Sequence, residues 1–490
     1  MKQNFKHLPL NDRKKILLIC DDIRVHSGVA TVAKEIVVHT SHHFNWVQMG
    51  GAIKHPDKGK LFDLSSEVNK IKKIEDSYVR LYPQDGYGNP DVLREIIRIE
   101  KPDAIMLFTD PRYFTWVFNM EQEIRKNIPI TYLNIWDDYP APMYNRPYYE
   151  ACDLLMGISK QTVNINKLVL KGREKNRIFQ YLPHGLNPEV YFPLDKEDKD
   201  FKKFKEQMFP KGNPKFTLFF NSRNIRRKQI PDALLAFRSF LDSLPLKEAL
   251  QCKFILHTEL LTDAGTDLSV VHEYLFGEKY NDCVVFSTNK LTQQQLNYIY
   301  NAADAQLLLT SNEGWGLSIT EALLSGTPII ANVTGGIQDQ MRFVDDKGKW
   351  IDFDSDFPSN HRGTFKEHGE WAFPVYPTSR SVQGSPQTPY IYDDRCAWED
   401  VCERIKEVYS LSDKERKSRG LKGREWAISD EAGFTVKHQA NTFMKTFKKL
   451  FDTWKPREKY EVINTSEYKG ICLMFYSKSC FITYGPFSTF

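Results

Sequence analysis

Glu313 and Glu321 stand eight positions apart in the run SNEGWGLSITEALLSGTPIIANVTGGIQDQ, residues 311–340, with Gly314-Trp315-Gly316 between them and Leu317 following the turn. Carboxylates accept hydrogen bonds from sugar hydroxyls, and a glycine turn that opens a helix leaves backbone amides and the positive end of the helix dipole for an anion. Together they suit a ligand that carries both hydroxyls and a diphosphate. A solvated glycine-rich loop with two surface glutamates fits the spacing equally well, so the neighbouring elements have to decide.

Ala305–Leu309 is a short apolar run, and Ile319, Ala322 and Leu323 fall at close to helical spacing, so the order is strand, glycine turn, helix. That places Glu313 before the turn and Glu321 about two turns into the helix. Gly326-Thr327-Pro328 ends the helix, Ile329–Ala331 reads as the next strand, and Gly335-Gly336 opens a further loop. A second charged stretch has the same setting. Phe216–Phe220 is an apolar strand, Asn221-Ser222-Arg223-Asn224-Ile225-Arg226-Arg227-Lys228 follows it, and a helix with Ala233, Leu234, Ala236 and Phe237 comes next. A basic loop is usually just solvated. One set directly after a strand and before a helix points at a ligand, because pockets of open α/β sheets lie beyond the carboxyl ends of their strands.

The 313–331 run resembles the E-x7-E donor site of family 4 retaining glycosyltransferases, which have the GT-B fold; Trp315 stands where that family has Phe. Arg223 and Lys228, five residues apart, match the Arg and Lys that hold the nucleotide diphosphate there, with Ser222 in place of the family's glycine. Leu182-Pro183-His184-Gly185-Leu186-Asn187 and Tyr191-Phe192-Pro193 resemble its passage between domains. The resemblance implies a hexosyltransferase that uses a nucleotide diphosphate sugar, retains the anomeric configuration and needs no metal or other cofactor. It places Glu313 at the hydroxyls of the donor hexose and Glu321 at the ribose. Arg223, Lys228, Gly314, Trp315, Gly316 and Leu317 surround the donor, and Gly28 stands in the family's first glycine loop. The family also has a His after a mid-domain strand, where this chain reads Asn134-Ile135-Trp136-Asp137-Asp138-Tyr139. Asp137 is the candidate in its place, so Glu313 and Asp137 form the catalytic pair expected here. Asp110 carries the same ambiguity as Asp137. His184 reads as a hinge residue, and Arg226 and Arg227 as accessory or solvent-facing.

A chain of 490 residues at 41% hydrophobic and 13% aromatic fills two cores rather than remaining disordered. Apolar strands at Ile16–Cys20, Trp46–Met49, Ala104–Phe108, Ile130–Ile135 and Leu154–Ile158, then Phe216–Phe220, Lys253–His257, Val284–Phe286 and Ala305–Leu309, alternate with helices such as Gln293–Ala302. The fold class is α/β, with two facing Rossmann-like doubly wound domains and a catalytic cleft between them. Residues 1–190 form the acceptor-side domain, 191–212 a linker with the charged run Asp195–Lys205, and 213–425 the donor domain. Helices in 426–460 return to the first domain, and 461–490 is an apolar tail. The aromatic and proline-rich segment 345–394 is much longer than the family's connection and is expected to cover the acceptor cleft or a domain edge.

The 67 basic and 63 acidic residues give a net charge of +4, which asks for no nucleic acid. Eight scattered cysteines read as reduced, mostly buried thiols. Without a signal-peptide core or an apolar window of about eighteen residues, the expected location is cytoplasmic. The apolar segments Gly470–Tyr476 and Cys480–Tyr484 leave a hairpin, peripheral contact with a membrane, or an oligomer contact open. Ser27-Gly28-Val29 lacks the G-x-G-x-x-G of a nicotinamide oxidoreductase. A nucleotide-sugar epimerase, a sugar phosphorylase and a catalytically inactive binding protein share the architecture and stay open. The acceptor is a glycan, lipid, protein or small molecule.

Overall fold

The computed structural model describes residues 5–52, 54–354, 357 and 360–457; the tail 461–490, with Cys472 and Cys480, lies outside them. The first sheet has eight strands: β1 (Lys14–Asp21), β2 (Phe44–Ala52), β3 (Phe62–Asp63), β4 (Val79–Asp85), β5 (Ala104–Phe108), β6 (Ile130–Asn134), β7 (Leu154–Gly157) and β8 (Ile178–Tyr181). Their order is β3-β4-β2-β1-β5-β6-β7-β8, and every pairing is parallel except the short edge strand β3 against β4. Ile16–Cys20 is apolar throughout because helices cover both faces of a parallel sheet, and all five residues are buried.

The second sheet has β9 (Phe216–Asn221), β10 (Cys252–His257), β11 (Val284–Ser287), β12 (Ala305–Leu308), β13 (Ile329–Asn332) and β14 (Ala372–Val375), in the parallel order β11-β10-β9-β12-β13-β14. In both sheets the strand order reverses at one place, beside β1 and beside β9. Such switch points open a crevice at the strand ends. The segment 21–28 leaves β1, the basic loop leaves β9, and the Glu313 turn follows β12, the neighbour of β9.

Three segments differ from the sequence reading. The run Asp195–Lys205 is partly the helix Lys199–Met208, anchored by Phe201 against Tyr298 with ring centroids 5.9 Å apart, so half of the expected linker is packed structure. The segment 345–394 is no simple loop: it contributes β14 and then an antiparallel hairpin, β15 (Ser379–Ser385) with β16 (Thr388–Arg395). Glu321 stands one turn, not two, inside its helix, which begins at Leu317. The helix Val436–Thr453 packs beside the first sheet, where Phe443 meets Phe44 and Trp46 at 6.0 and 5.8 Å. The six described cysteines are free and buried. Among the described residues no helix is long and apolar enough to cross a membrane.

Candidate functional site

A cleft of about 780 Å³ lies between the two sheets' strand ends, and it brings together Gly28, Asp137, Arg223, Lys228, Glu313, Gly314, Trp315, Gly316, Leu317 and Glu321. Two helix starts meet there. Ser27 caps the helix Gly28–Thr40, while the helix Leu317–Ser325 starts from Gly316 with no side-chain cap, leaving its first amides without a side-chain acceptor. The two are adjacent across the cleft, since a Cβ on Gly28 would lie 3.4 Å from Leu317 Cδ1.

Glu313 is the centre of charge. Lys228 Nζ donates to Glu313 Oε2, and Arg227 Nη1 donates to the same oxygen at 3.0 Å and to the Asn312 carbonyl at 2.5 Å. Burial alone would raise the Glu313 carboxyl, but the two cations outweigh it and hold it at about 2. Arg227 is therefore accessory to Glu313, with about a third of its side chain still exposed. It is turned into the Glu313 loop, whereas its neighbour Arg226 is exposed. Arg223 lines the cleft, exposed, and among the described residues its guanidinium has no hydrogen-bond or ion-pair partner.

Glu321 has a different environment. Its carboxyl accepts from Tyr300 Oη at 2.6 Å, Tyr191 Oη at 3.2 Å and Asn221 Nδ2 at 3.2 Å. Burial nevertheless dominates and pushes it up to about 7. The two glutamates thus differ in kind: one is a fixed carboxylate, the other is poised to titrate. Asp137 is also raised, by burial, with Arg227 opposing and Glu313 adding to the rise. Asp110 accepts from the Arg112 backbone amide and pairs with its guanidinium, which ties it to its own turn. His184 lines the cleft between Phe108 and Trp315, at 6.0 and 6.2 Å, and burial pushes it down to about 3, so its imidazole is neutral. The Trp315 ring is committed to packing: its Nε1 donates to Thr320 Oγ1 at 2.9 Å and it stacks edge-on to Phe434 at 4.8 Å.

The loop after β13 fits tightly against the turn. Gly335 has φ +49°, and a Cβ there would sit 1.9 Å from the Glu313 carbonyl oxygen. Gly335→Ala is expected to force the Glu313 loop outward at a strain of about 1–3 kcal/mol, weakening nucleoside diphosphate binding about tenfold or more. Titration calorimetry checks this, and unchanged affinity contradicts the coupling of the two loops. Sequence reasoning missed Arg227, Tyr191, Tyr300 and Asn221; Tyr191 and Asn221 stand inside quoted motifs, but nothing in the spacing shows that they converge on Glu321.

Residues 200–355 match the family model described as glycosyl transferases group 1. No curated protein matches the chain at a significant level. Several solved structures share the fold. HepE of Anabaena, in complex with UDP and glucose, aligns with a TM-score of 0.60 at 14% identity, covering 89% of this chain and 100% of that one. Sucrose-phosphate synthase of Thermosynechococcus elongatus aligns with a TM-score of 0.61 at 15% identity, covering 90% and 100%. A trehalose-6-phosphate structure from E. coli, bound with UDP-2-fluoro glucose, gives 0.60 at 12% identity, covering 89% and 99%.

Proposed function

We propose that this chain, which has the GT-B fold and whose residues 200–355 match the glycosyl transferases group 1 model, is a glycosyltransferase whose cleft takes a nucleotide diphosphate hexose and passes the sugar to an acceptor hydroxyl with retention of configuration. The observation that carries this is the free Arg223 guanidinium in the same cleft as the Lys228 ammonium and the uncapped start of the Leu317 helix. Such a set suits a diphosphate. The Anabaena structure holds UDP and glucose and the E. coli one UDP-2-fluoro glucose, which supports a nucleotide sugar as donor here.

In this reading the bond from the anomeric carbon to the diphosphate breaks, and the electron pair leaves with the diphosphate. Arg223, Lys228 and the Leu317 amides stabilise that charge, so no metal is required of the protein. Glu313, held as a carboxylate, takes hydroxyls of the hexose, and Glu321 takes the ribose. Asp137 faces the sugar from the first domain. The acceptor hydroxyl attacks the face that the diphosphate leaves and gives up its proton to the departing oxygen. Glycan, lipid, protein and small-molecule acceptors all present such a hydroxyl, and the proposed setting is the cytoplasm, at or away from a membrane face. An epimerase would convert the donor sugar without an acceptor, and a phosphorylase would need inorganic phosphate.

Release of nucleoside diphosphate from a panel of donor sugars tests the proposal. Arg223→Ala and Lys228→Ala are each expected to lower turnover by about 10²–10³, the usual effect of losing one preorganised contact to developing charge. Full activity in both variants overturns it.

A further inference from the structure

The hairpin β15–β16 lays its second strand along the first domain, while most of β15 and the turn at residues 385–387 are exposed. Its foot is fastened beside Glu313. Asp394 N donates to the Ser311 carbonyl at 3.0 Å, and Asn312 Nδ2 donates to Asp393 Oδ1 at 3.1 Å. Gln229 Nε2 ties Ser311 Oγ and the Asp394 carbonyl together at 3.0 Å each. Its far end is fastened beside Asp137. Tyr392 N donates to the Tyr139 carbonyl at 2.8 Å, Tyr144 Oη to the Tyr390 carbonyl at 2.9 Å, and Arg112 Nη1 to Thr388 Oγ1 at 2.7 Å. The Tyr144 and Tyr390 rings meet edge to face at 4.9 Å.

We propose that this hairpin is a brace that fixes the spacing of Asp137 and Glu313 across the cleft, so that the two halves of the site are set before the donor arrives. Tyr139 lies two residues after Asp137 and Ser311 two residues before Glu313. Between their attachment points, Tyr392 and Asp394, runs only an extended strand step of about 7 Å, a span that cannot stretch. The brace is a positioning element and touches no reacting atom. The opposite flank is tied as well: Asp339 accepts from the Lys160 amide at 2.9 Å and from Tyr181 Oη at 3.0 Å, and Lys160 Nζ lies 3.6 Å over the Trp350 ring. Opening the cleft breaks both sets of contacts.

The brace rests on the reading of Asp137 and Glu313 as one transferase site, and its test separates the two ideas. Tyr392→Pro removes the amide that reaches Tyr139, and this amide points away from β15 toward the first domain, where an edge strand tolerates proline. Thr388→Val with Tyr390→Ala loosens the same end without touching the backbone. Turnover of the donor panel, nucleotide affinity and the radius of gyration by X-ray scattering are measured with and without UDP, GDP or ADP, whichever binds tightest. In both variants nucleotide affinity is expected to stay within about twofold while kcat falls about 10²-fold, the effect of a misplacement of about 1 Å. The parent is expected to keep its radius on binding nucleotide. The variants are expected to be larger than the parent both without and with nucleotide, since a nucleotide whose affinity is unchanged does not drive the cleft shut. Unchanged kcat in both variants, nucleotide affinity falling in step with kcat, or variants no larger than the parent overturns the brace. If no donor turns over in the parent, the functional reading fails, and the scattering alone still decides the brace.

Discussion

Glu313→Ala is expected to cost the folded chain about 3–5 kcal/mol, the usual effect of removing one partner from a buried ion pair. The cause is what remains. Lys228 and Arg227 both donate to the Glu313 carboxylate, and without it the buried Lys228 ammonium and the half-buried Arg227 guanidinium face each other with no anion between them. A nucleotide diphosphate replaces the lost charge, so the stability gained on adding nucleotide is expected to be larger in the variant than in the parent, where about 2.7 kcal/mol is the gain at a hundredfold excess over Kd. Thermal unfolding with and without nucleotide checks both parts. A variant as stable as the parent sinks the assignment of Glu313 as the anchor of these cations. The double variant Glu313→Gln with Lys228→Met is expected to lose less than the sum of the single losses, because it removes one charge of each sign.

That Glu313, Arg223 and Lys228 share one cleft was legible in the sequence because of where they stand. Each lies in the loop that follows an apolar strand, where glycines or charges interrupt the pattern, and open α/β sheets form their crevices there. Strand cores were legible because Ile16–Cys20, and Phe216–Phe220 apart from Thr217, are apolar runs of strand length bounded by polar segments. Arg227 was not, because the facing of three consecutive cations depends on the tight turn Arg226–Lys228 and its exit through Gln229 at φ 47°. Nothing local separates Arg226 from Arg227. The hairpin was illegible for a different reason. β15 reads Ser-Arg-Ser-Val-Gln-Gly-Ser and has no apolar face, so no period-two pattern announces it. Its register is held instead by partners far away in the chain, such as Tyr139 and Tyr144. Trp315 likewise shared the donor motif's look, yet its ring answers to Phe434, more than a hundred residues on.

The last expectation concerns pH and separates the two glutamates that share one motif. Glu321 is raised to about 7 by burial, against hydrogen bonds from Tyr300, Tyr191 and Asn221 that favour its charged form. A ribose hydroxyl donates far more strongly to a carboxylate than to a neutral carboxyl, so donor binding favours the ionised form. Below pH 7 donor affinity is expected to fall about tenfold per unit, reaching about 10²-fold at pH 5 relative to pH 8. Stability of the free protein runs the other way. A carboxyl whose folded pKa is raised contributes stability that is fully present below its unfolded value and is lost as pH rises through the folded one, here between its ordinary 4.5 and about 7. Glu313, held at about 2, stays ionised in the folded protein throughout that window, and its own stabilising effect is lost only as pH falls through its ordinary 4.5 toward 2. Calorimetric affinities for a donor sugar from pH 5 to 8, in the parent and in Glu321→Gln, isolate the group, because any titration of the diphosphate itself is common to both. A steep parent and a flat variant is the expected pair of profiles. Equal slopes in the two proteins would remove Glu321 from the ribose, since a carboxyl that binding must deprotonate cannot leave the affinity unmoved across its own pKa.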